Sequence, residues 1–436
     1  MKEPDLVMTC YNFFEEKQIT MKIAWNEGYD PELAAKKIQA ITKVAEDGRV
    51  SFAGFEFKEF ETLLFSMLKF PSEIPDREGQ RIVRDAIRIA AKDGKITPKA
   101  ILIQASKLAN SYLALPFERY ALYTSISIDS RWILPISRLQ YGKNIVTFDR
   151  KPSKKFTRAA SQLMEQAKTL TIGGMPKDYT YVKIFISARE IYEAANLAID
   201  TIDLIRGVLN WRINLKTPIR ISMGSKPQPV NKLIMGPVHT LHYPNGNLAA
   251  SVTWWYEPNY VGSIKTYNIE KDITELTTFL EKVKSKLTKH KYSAIIKNAI
   301  IRYTRALDER NWQSGFLRLW GVLELLTNTE KESYDVTIRR TAFLFEEIDY
   351  HRQVLSQLRE FRNSTVHLDK EDKEIETHLY QLKRYVEALL SFHLFNDFGF
   401  RNIQEAITFL NLPTEQKVLD NRIKMLSTAK KFRGYS

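Results

Sequence analysis

The chain has 436 residues, 44% of them hydrophobic and 27% charged, with a formal net charge of +14. That length suits two or three domains, each able to bury its own core. No apolar run approaches the roughly 20 residues that span a bilayer, no basic start with an apolar run marks a signal peptide, and the lone Cys10 excludes an intramolecular disulfide and a cysteine-built zinc site. A cytoplasmic protein with no membrane partner is expected.

The charge is uneven. Lys and Arg outnumber Asp and Glu by 20 to 19 over residues 1–140, by 22 to 12 over 141–290 and by 23 to 20 over 291–436. A localised basic field suits a polyanion such as nucleic acid. It equally suits a solvated surface that only keeps the protein soluble.

Residues 1–135 read as helical. Leu33, Ile38, Ile41 and Val44 recur at helical spacing from Pro31 and stop at Asp47-Gly48, where glycine supplies a left-handed cap. Ser51 offers an oxygen to start the next helix. The design recurs: a helix from Arg81 ends at Asp93-Gly94, and Thr97-Pro98 starts another. Asp47-Gly-Arg-Val-Ser51 and Asp93-Gly-Lys-Ile-Thr97 align 46 residues apart, as a weak repeat of two helix-turn-helix units. The pattern distantly resembles the tellurite-resistance TerB-like helical proteins. Carboxylates at alternate positions are missing, so it is not an EF-hand.

The character changes near Pro135. Lys143 to Lys155 is polar and basic and reads as a boundary or exposed loop, and Lys151, Lys154 and Lys155 are candidate RNA contacts. Tyr179 to Ile186 alternates like a strand, and Ala188 to Asn210 reads as a long helix. Short strands are expected at 219–223, 232–235, 239–243 and 248–256, punctuated by Pro and Gly. His239 and His242 fall on opposite faces of a strand at a spacing of three, so no metal site is expected. Trp254, Trp255 and Tyr256 suit core or interface better than base stacking. Residues 136–270 are thus expected as a basic α+β domain with an antiparallel sheet.

From Asp272 the chain reads as helical again. Helices are expected at 272–289, 295–310, around Phe316 to Leu326, at 337–347, at 354–367 and around Leu379 to Leu390, with short connections that suit a bundle over 271–436. The fold expected overall is multidomain α+β, predominantly α.

One stretch concentrates chemistry: Arg362-Asn363-Ser-Thr-Val-His367. Asn363 and His367 are four apart, so on a helix they share a face, and Arg362 flanks it at about 140° from His367. Imidazole exchanges protons near neutral pH. Guanidinium holds phosphate with a fork and stabilises transition-state charge. The set suits metal-free cleavage of RNA by its own 2′-hydroxyl, with a second protomer supplying the other histidine. An equally simple reading is a helix-end cap and a surface ion pair.

Trp312 to Phe395, about a quarter of the chain, resembles the HEPN superfamily, particularly its ApeA-like branch. The resemblance rests on the Arg-polar-x-x-x-His motif at Arg362–His367, the preceding helix Leu317 to Leu326 with Glu324, the basic start Ile338-Arg339-Arg340 and the apolar helix Gln381 to Phe395. It implies a helical bundle that dimerises and a metal-independent endoribonuclease, without cofactor, common in toxins and anti-phage abortive infection. tRNA would be one substrate, and a phage or host protein the trigger. By position, His367 would be the acid/base, Arg362 the phosphate contact, Asn363 the orienting group, Glu324 a holder of Arg362 or His367, and Arg340 or its neighbour Arg339 an RNA contact. Some members keep the fold without activity, which leaves a non-catalytic nucleic-acid or nucleotide-binding protein, or a protein-interaction regulator, as alternatives.

Overall fold

The computed structural model describes residues 23–132, 134–135, 138–170, 172–216, 228–250, 254–257, 260, 265–330, 332–367 and 374–435. The strands expected at 219–223 and over part of 248–256 lie outside them. Of the described residues 58% are helical, and they carry a six-stranded antiparallel sheet, so the predominantly α, α+β class is correct. It divides into two compact units at Phe117/Glu118.

The first unit holds β1 (Ala24–Trp25), α1 (Pro31–Ile41), β2 (Thr42–Val44), β3 (Val50–Phe52), α2 (Gly54–Met67), β4 (Leu68–Lys69), α3 (Asp76–Lys92) and α4 (Pro98–Leu113). The Asp93-Gly94 turn and the Thr97 cap are as read. Gly94 sits at φ +64, and Thr97 Oγ1 accepts from the Ala100 N–H at 3.2 Å. The first copy of the repeat differs. Asp47-Gly48 closes a small hairpin between β2 and β3, Ser51 lies in β3, and α2 starts without a side-chain cap. The β-branched run Ile41-Thr-Lys-Val44 favours extended backbone once α1 has packed.

The second unit begins with β5 (Glu118–Asp129), β6 (Arg138–Tyr141), β7 (Asn144–Asp149), α5 (Lys154–Ala159), α6 (Ser161–Thr169), β8 (Tyr179–Ala188), α7 (Ile191–Lys216), β9 (Val238–His242) and β10 (Trp254–Tyr256). The strand order is β10-β9-β5-β8-β7-β6, antiparallel throughout. Two corrections arise here. The central strand β5 lies inside the stretch read as helical. Part of the expected basic loop is the hairpin β6–β7, turned by Gly142-Lys143 with Gly142 at φ +60, which suits a two-residue hairpin loop.

One face of the sheet packs Leu122, Ile126, Val182 and Ile184 against α7. The other carries Ala121, Tyr123 and Tyr181 under Phe156 of α5.

The chain continues through α8 (Ile273–Lys289), α9 (Ser293–Leu307), α10 (Trp312–Thr327), α11 (Tyr334–Ala342), α12 (Ile348–His367), α13 (Ile375–Phe395), α14 (Ile403–Leu410) and α15 (Gln416–Phe432). Helices α8 to α14 share one core with the sheet, while α15 buries no residue, so residues 136–270 and 271–436 form one unit rather than two domains. The cause is α7. Every residue from 201 to 211 is buried, and a helix buried all round needs cover on every side.

Gly207 lets α7 approach α9. A Cβ there would overlap Thr304 Oγ1 and lie 2.7 Å from Ile300 Cγ2. Gly207→Ala should therefore destabilise the protein by about 1–3 kcal/mol through overpacking, despite the better helix propensity of alanine. Urea unfolding reads this, and an unchanged or raised midpoint would contradict the packing.

Candidate functional site

Helix α12 presents Leu355, Leu358 and Phe361 inward at spacings of three, each buried. The Phe361 ring meets Phe316 of α10 edge-on at 4.8 Å and lies 4.5 Å from His378 of α13. This stripe fixes the rotation of α12, so the next residues, Arg362 and Asn363, emerge half-buried at its flank.

Arg362 is held from below and beside. Its Cζ lies 5.0 Å above the ring of Tyr334, the first residue of α11. Its Nη1 donates to Asn363 Oδ1 at 3.4 Å. Tyr334 in turn stands edge-on to Trp320 at 6.1 Å, and Trp320 Nε1 donates to Glu324 Oε1 at 2.9 Å. Burial pushes the Glu324 carboxyl above its usual range, while the Trp320 bond and the positive charge of Arg362 pull it back. No direct ion pair joins Glu324 to Arg362 among the described residues; the coupling acts through space. Helices α10, α11 and α12 thus bring together Glu324, Tyr334, Arg362 and Asn363.

α12 remains helical through His367. The four-residue relation between Asn363 and His367 therefore holds along the backbone, while the side chain of His367 lies outside the described residues.

Arg339 and Arg340 separate. Arg340 is a correction to the expected RNA contact. It is 5% exposed, its Nε donates to Asn411 Oδ1 at 2.9 Å, its Nη1 to Thr327 O at 2.9 Å, and its Nη2 pairs with Glu332 at 3.3 Å. These bonds satisfy carbonyls at the C-terminal end of α10, where the helix leaves them without partners. Arg339 is exposed, with one bond from Nη2 to Asn411 at 3.2 Å.

The lysines stand elsewhere in the unit, where α5 covers the sheet. Lys151 and Lys154 are exposed beside Arg150 and Arg158. Lys155 lies across the Pro244–Gly246 turn, with Nζ donating to Pro244 O at 3.3 Å. No described contact connects this patch to Arg362.

His239 and His242 are both buried. His239 Nδ1 meets Thr124 Oγ1 at 2.6 Å and Nε2 meets Glu257 Oε1 at 3.2 Å, while His242 Nδ1 meets Gly246 O at 2.8 Å. Burial pushes the His242 imidazole down to about 4, so it is neutral at pH 7. Each ring serves internal bonding. Among the described residues no cluster of three or more His, Cys, Asp or Glu could hold a metal, and no helix is long and apolar enough to cross a membrane. On β10, Trp255 packs edge-on to Tyr192 at 6.0 Å and Tyr256 is exposed.

Spacing within one helix does not reveal Tyr334 or Trp320, the aromatic support of the site. The one local signal is Trp320 four residues before Glu324, the separation that places both on one face.

The chain matches no known protein family, no curated protein and no solved structure.

Proposed function

We propose that the protein is a metal-independent endoribonuclease of HEPN type. One observation carries this: Arg362 and Asn363 emerge from the same continuous helix that bears His367, with the guanidinium seated on Tyr334 beside a half-buried Glu324. Arg362 binds the scissile phosphate and meets the charge that builds on it. His367 moves protons to and from the 2′-hydroxyl and the leaving oxygen. Asn363 orients the phosphate or the imidazole. One imidazole does not act as acid and base at once, so the complete site takes a second protomer through the C-terminal helices. RNA, with tRNA as one substrate, is the partner. The setting is cytoplasmic and prokaryotic, in anti-phage defence or abortive infection, and a phage or host protein triggers cutting.

The exposed Arg150, Lys151, Lys154 and Arg158 favour a second reading, non-catalytic binding of nucleic acid. It predicts salt-dependent binding without cleavage.

The test incubates wild type and His367→Ala with total RNA and with purified tRNA, in EDTA, and reads product ends. Cleavage with 2′,3′-cyclic phosphate ends is expected from the wild type, with a loss of at least about 10²-fold in the variant, the scale of general acid–base catalysis. Equal cutting by both proteins would remove the proposal.

A further inference from the structure

A cavity of about 300 Å³ opens between the loop that follows α11, the first turn of α12 and the middle of α13. That volume lies at the small end of ligand pockets. His351, in its wall, precedes Arg362 by eleven residues, about 16 Å along the helix at 1.5 Å per residue, so this is a separate place from the Arg362 site.

Its walls are aromatic and locked. Phe345 lies over His351 at 4.1 Å and 32°, and meets Tyr385 edge-on at 5.4 Å. His351 Nδ1 and the Tyr385 hydroxyl are 2.8 Å apart. Burial, helped by the charge of Arg384 and opposed by Glu347, lowers the His351 imidazole. Burial pushes the Tyr385 phenol up to about 12. Both rings are therefore uncharged at neutral pH and favour a planar, uncharged guest.

The polar groups define what that guest presents. Gln381 is half-buried in the wall, and its covered Oε1 has no hydrogen-bond partner among the described residues. Glu347, exposed, adds a carboxylate whose two oxygens only accept. Arg384, exposed, adds a cation. Tyr350, 59% exposed, offers a ring face beside His351 at 5.2 Å. Two acceptors, stacking surfaces and one cation match a planar base with adjacent N–H donors that carries a phosphate. Guanine has such an edge in its N1–H and N2 amino group. Adenine offers an amino group beside a ring nitrogen that accepts, which would meet one of the two acceptors unfavourably.

We propose that this cavity binds a guanine nucleotide, with the two carboxylate oxygens of Glu347 accepting from the N1–H and N2 amino group of the base edge, Tyr350 stacking on it and Arg384 meeting the phosphate. The nucleotide is either free or a guanosine within single-stranded RNA; the recognition is the same. The binding does not depend on cleavage at Arg362.

The experiment is titration calorimetry on the full chain with 5′-GMP, 5′-AMP and two fully 2′-O-methylated single-stranded 10-mers, one with a single guanosine and one with adenosine in its place. GMP is expected to bind at least 10-fold more tightly than AMP. Glu347→Gln and Tyr350→Ala, both at exposed positions, should each weaken GMP by 5-fold or more. His367→Ala should bind GMP as the wild type does, which separates this result from any failure of the ribonuclease assignment. A guanosine preference in the 10-mers alone would make RNA the source, and in GMP alone a free nucleotide. No guanine preference in either pair, or folded Glu347→Gln and Tyr350→Ala that bind like the wild type, would overturn the proposal.

Discussion

Asp308→Ala should destabilise the second unit by about 3–5 kcal/mol, the cost of leaving one partner of a buried ion pair without the other. Asp308 caps the C-terminal end of α9, where the helix dipole disfavours a carboxylate. It is held there by Arg206 of α7, which is 1% exposed. Arg206 Nη1 and Nη2 donate to the two oxygens of Asp308 at 3.1 and 2.7 Å, Nη2 also to Asp203 at 2.6 Å, and Nη1 to Leu233 O at 3.0 Å. Asn231 adds a bond to Asp308 at 2.7 Å. Burial works against the charge on Arg206, yet Asp308 and Asp203 override it and hold the guanidinium well above its usual range. Burial pushes the Asp308 carboxyl up, against the pull of Arg206 and Asn231. Three donors on its two oxygens favour the ionised form. Asp203 cannot replace it, since it also serves Arg305 at 2.8 Å. Urea unfolding of Asp308→Ala against the wild type measures the loss. A double variant, Arg206→Met with Asp308→Leu, should recover most of it, because replacing both partners removes the stranded charge. A single variant within about 1 kcal/mol of the wild type would mean that the network adds little.

The same network explains what the sequence reveals and what it hides. α10, α12 and α13 were readable because each carries apolar residues on one face at helical spacing, as Leu355, Leu358 and Phe361 do. Strand β5 was not. Tyr120, Leu122, Ile126 and Ile128 enter the main core while Ala121 and Tyr123 enter the smaller one. A strand covered on both faces loses its alternation and resembles a buried helix. The hairpin β6–β7 was missed for the opposite reason. Its edge strand carries the exposed Arg138 and Gln140 around a single buried Leu139, so its composition is that of a loop. The shared core of the middle and C-terminal segments did leave a trace. Asp203, Arg206, Asn210 and Asn214 recur every three or four residues along the buried part of α7, a polar stripe that faces α9 and the 228–235 segment. At the candidate site the Arg362–His367 spacing was legible because it lies within one helix. Tyr334 and Trp320 arrive from other helices, and only the four-residue step from Trp320 to Glu324 hints at this support. The choice between Arg339 and Arg340 depended on which side of α11 faces Asn411 and the end of α10, a tertiary fact.

Arg362→Ala should reduce RNA cleavage by about 10²–10³-fold, the range seen when one group that stabilises transition-state charge is removed. The guanidinium is placed before substrate arrives. It lies over the Tyr334 ring at 5.0 Å, is bonded to Asn363 and feels the Glu324 carboxylate nearby. A cation seated in this way loses less rotamer freedom on binding phosphate than one free in solvent. Arg362→Lys keeps the charge but loses the fork and the flat stacking surface, so about a 10-fold loss should remain. Tyr334→Leu leaves Arg362 in the chain and removes its seat. It should weaken cleavage less than Arg362→Ala does, with KM raised more than kcat lowered. Arg362 is only half-buried and makes one weak side-chain bond among the described residues, so Arg362→Ala should stay within about 0.5 kcal/mol of wild-type stability. A folded Arg362→Ala that cuts RNA at the wild-type rate would separate α12 from the chemistry altogether. A folded Arg362→Ala that binds RNA but no longer cuts it, beside an active wild type, would place the transition-state charge at this helix end.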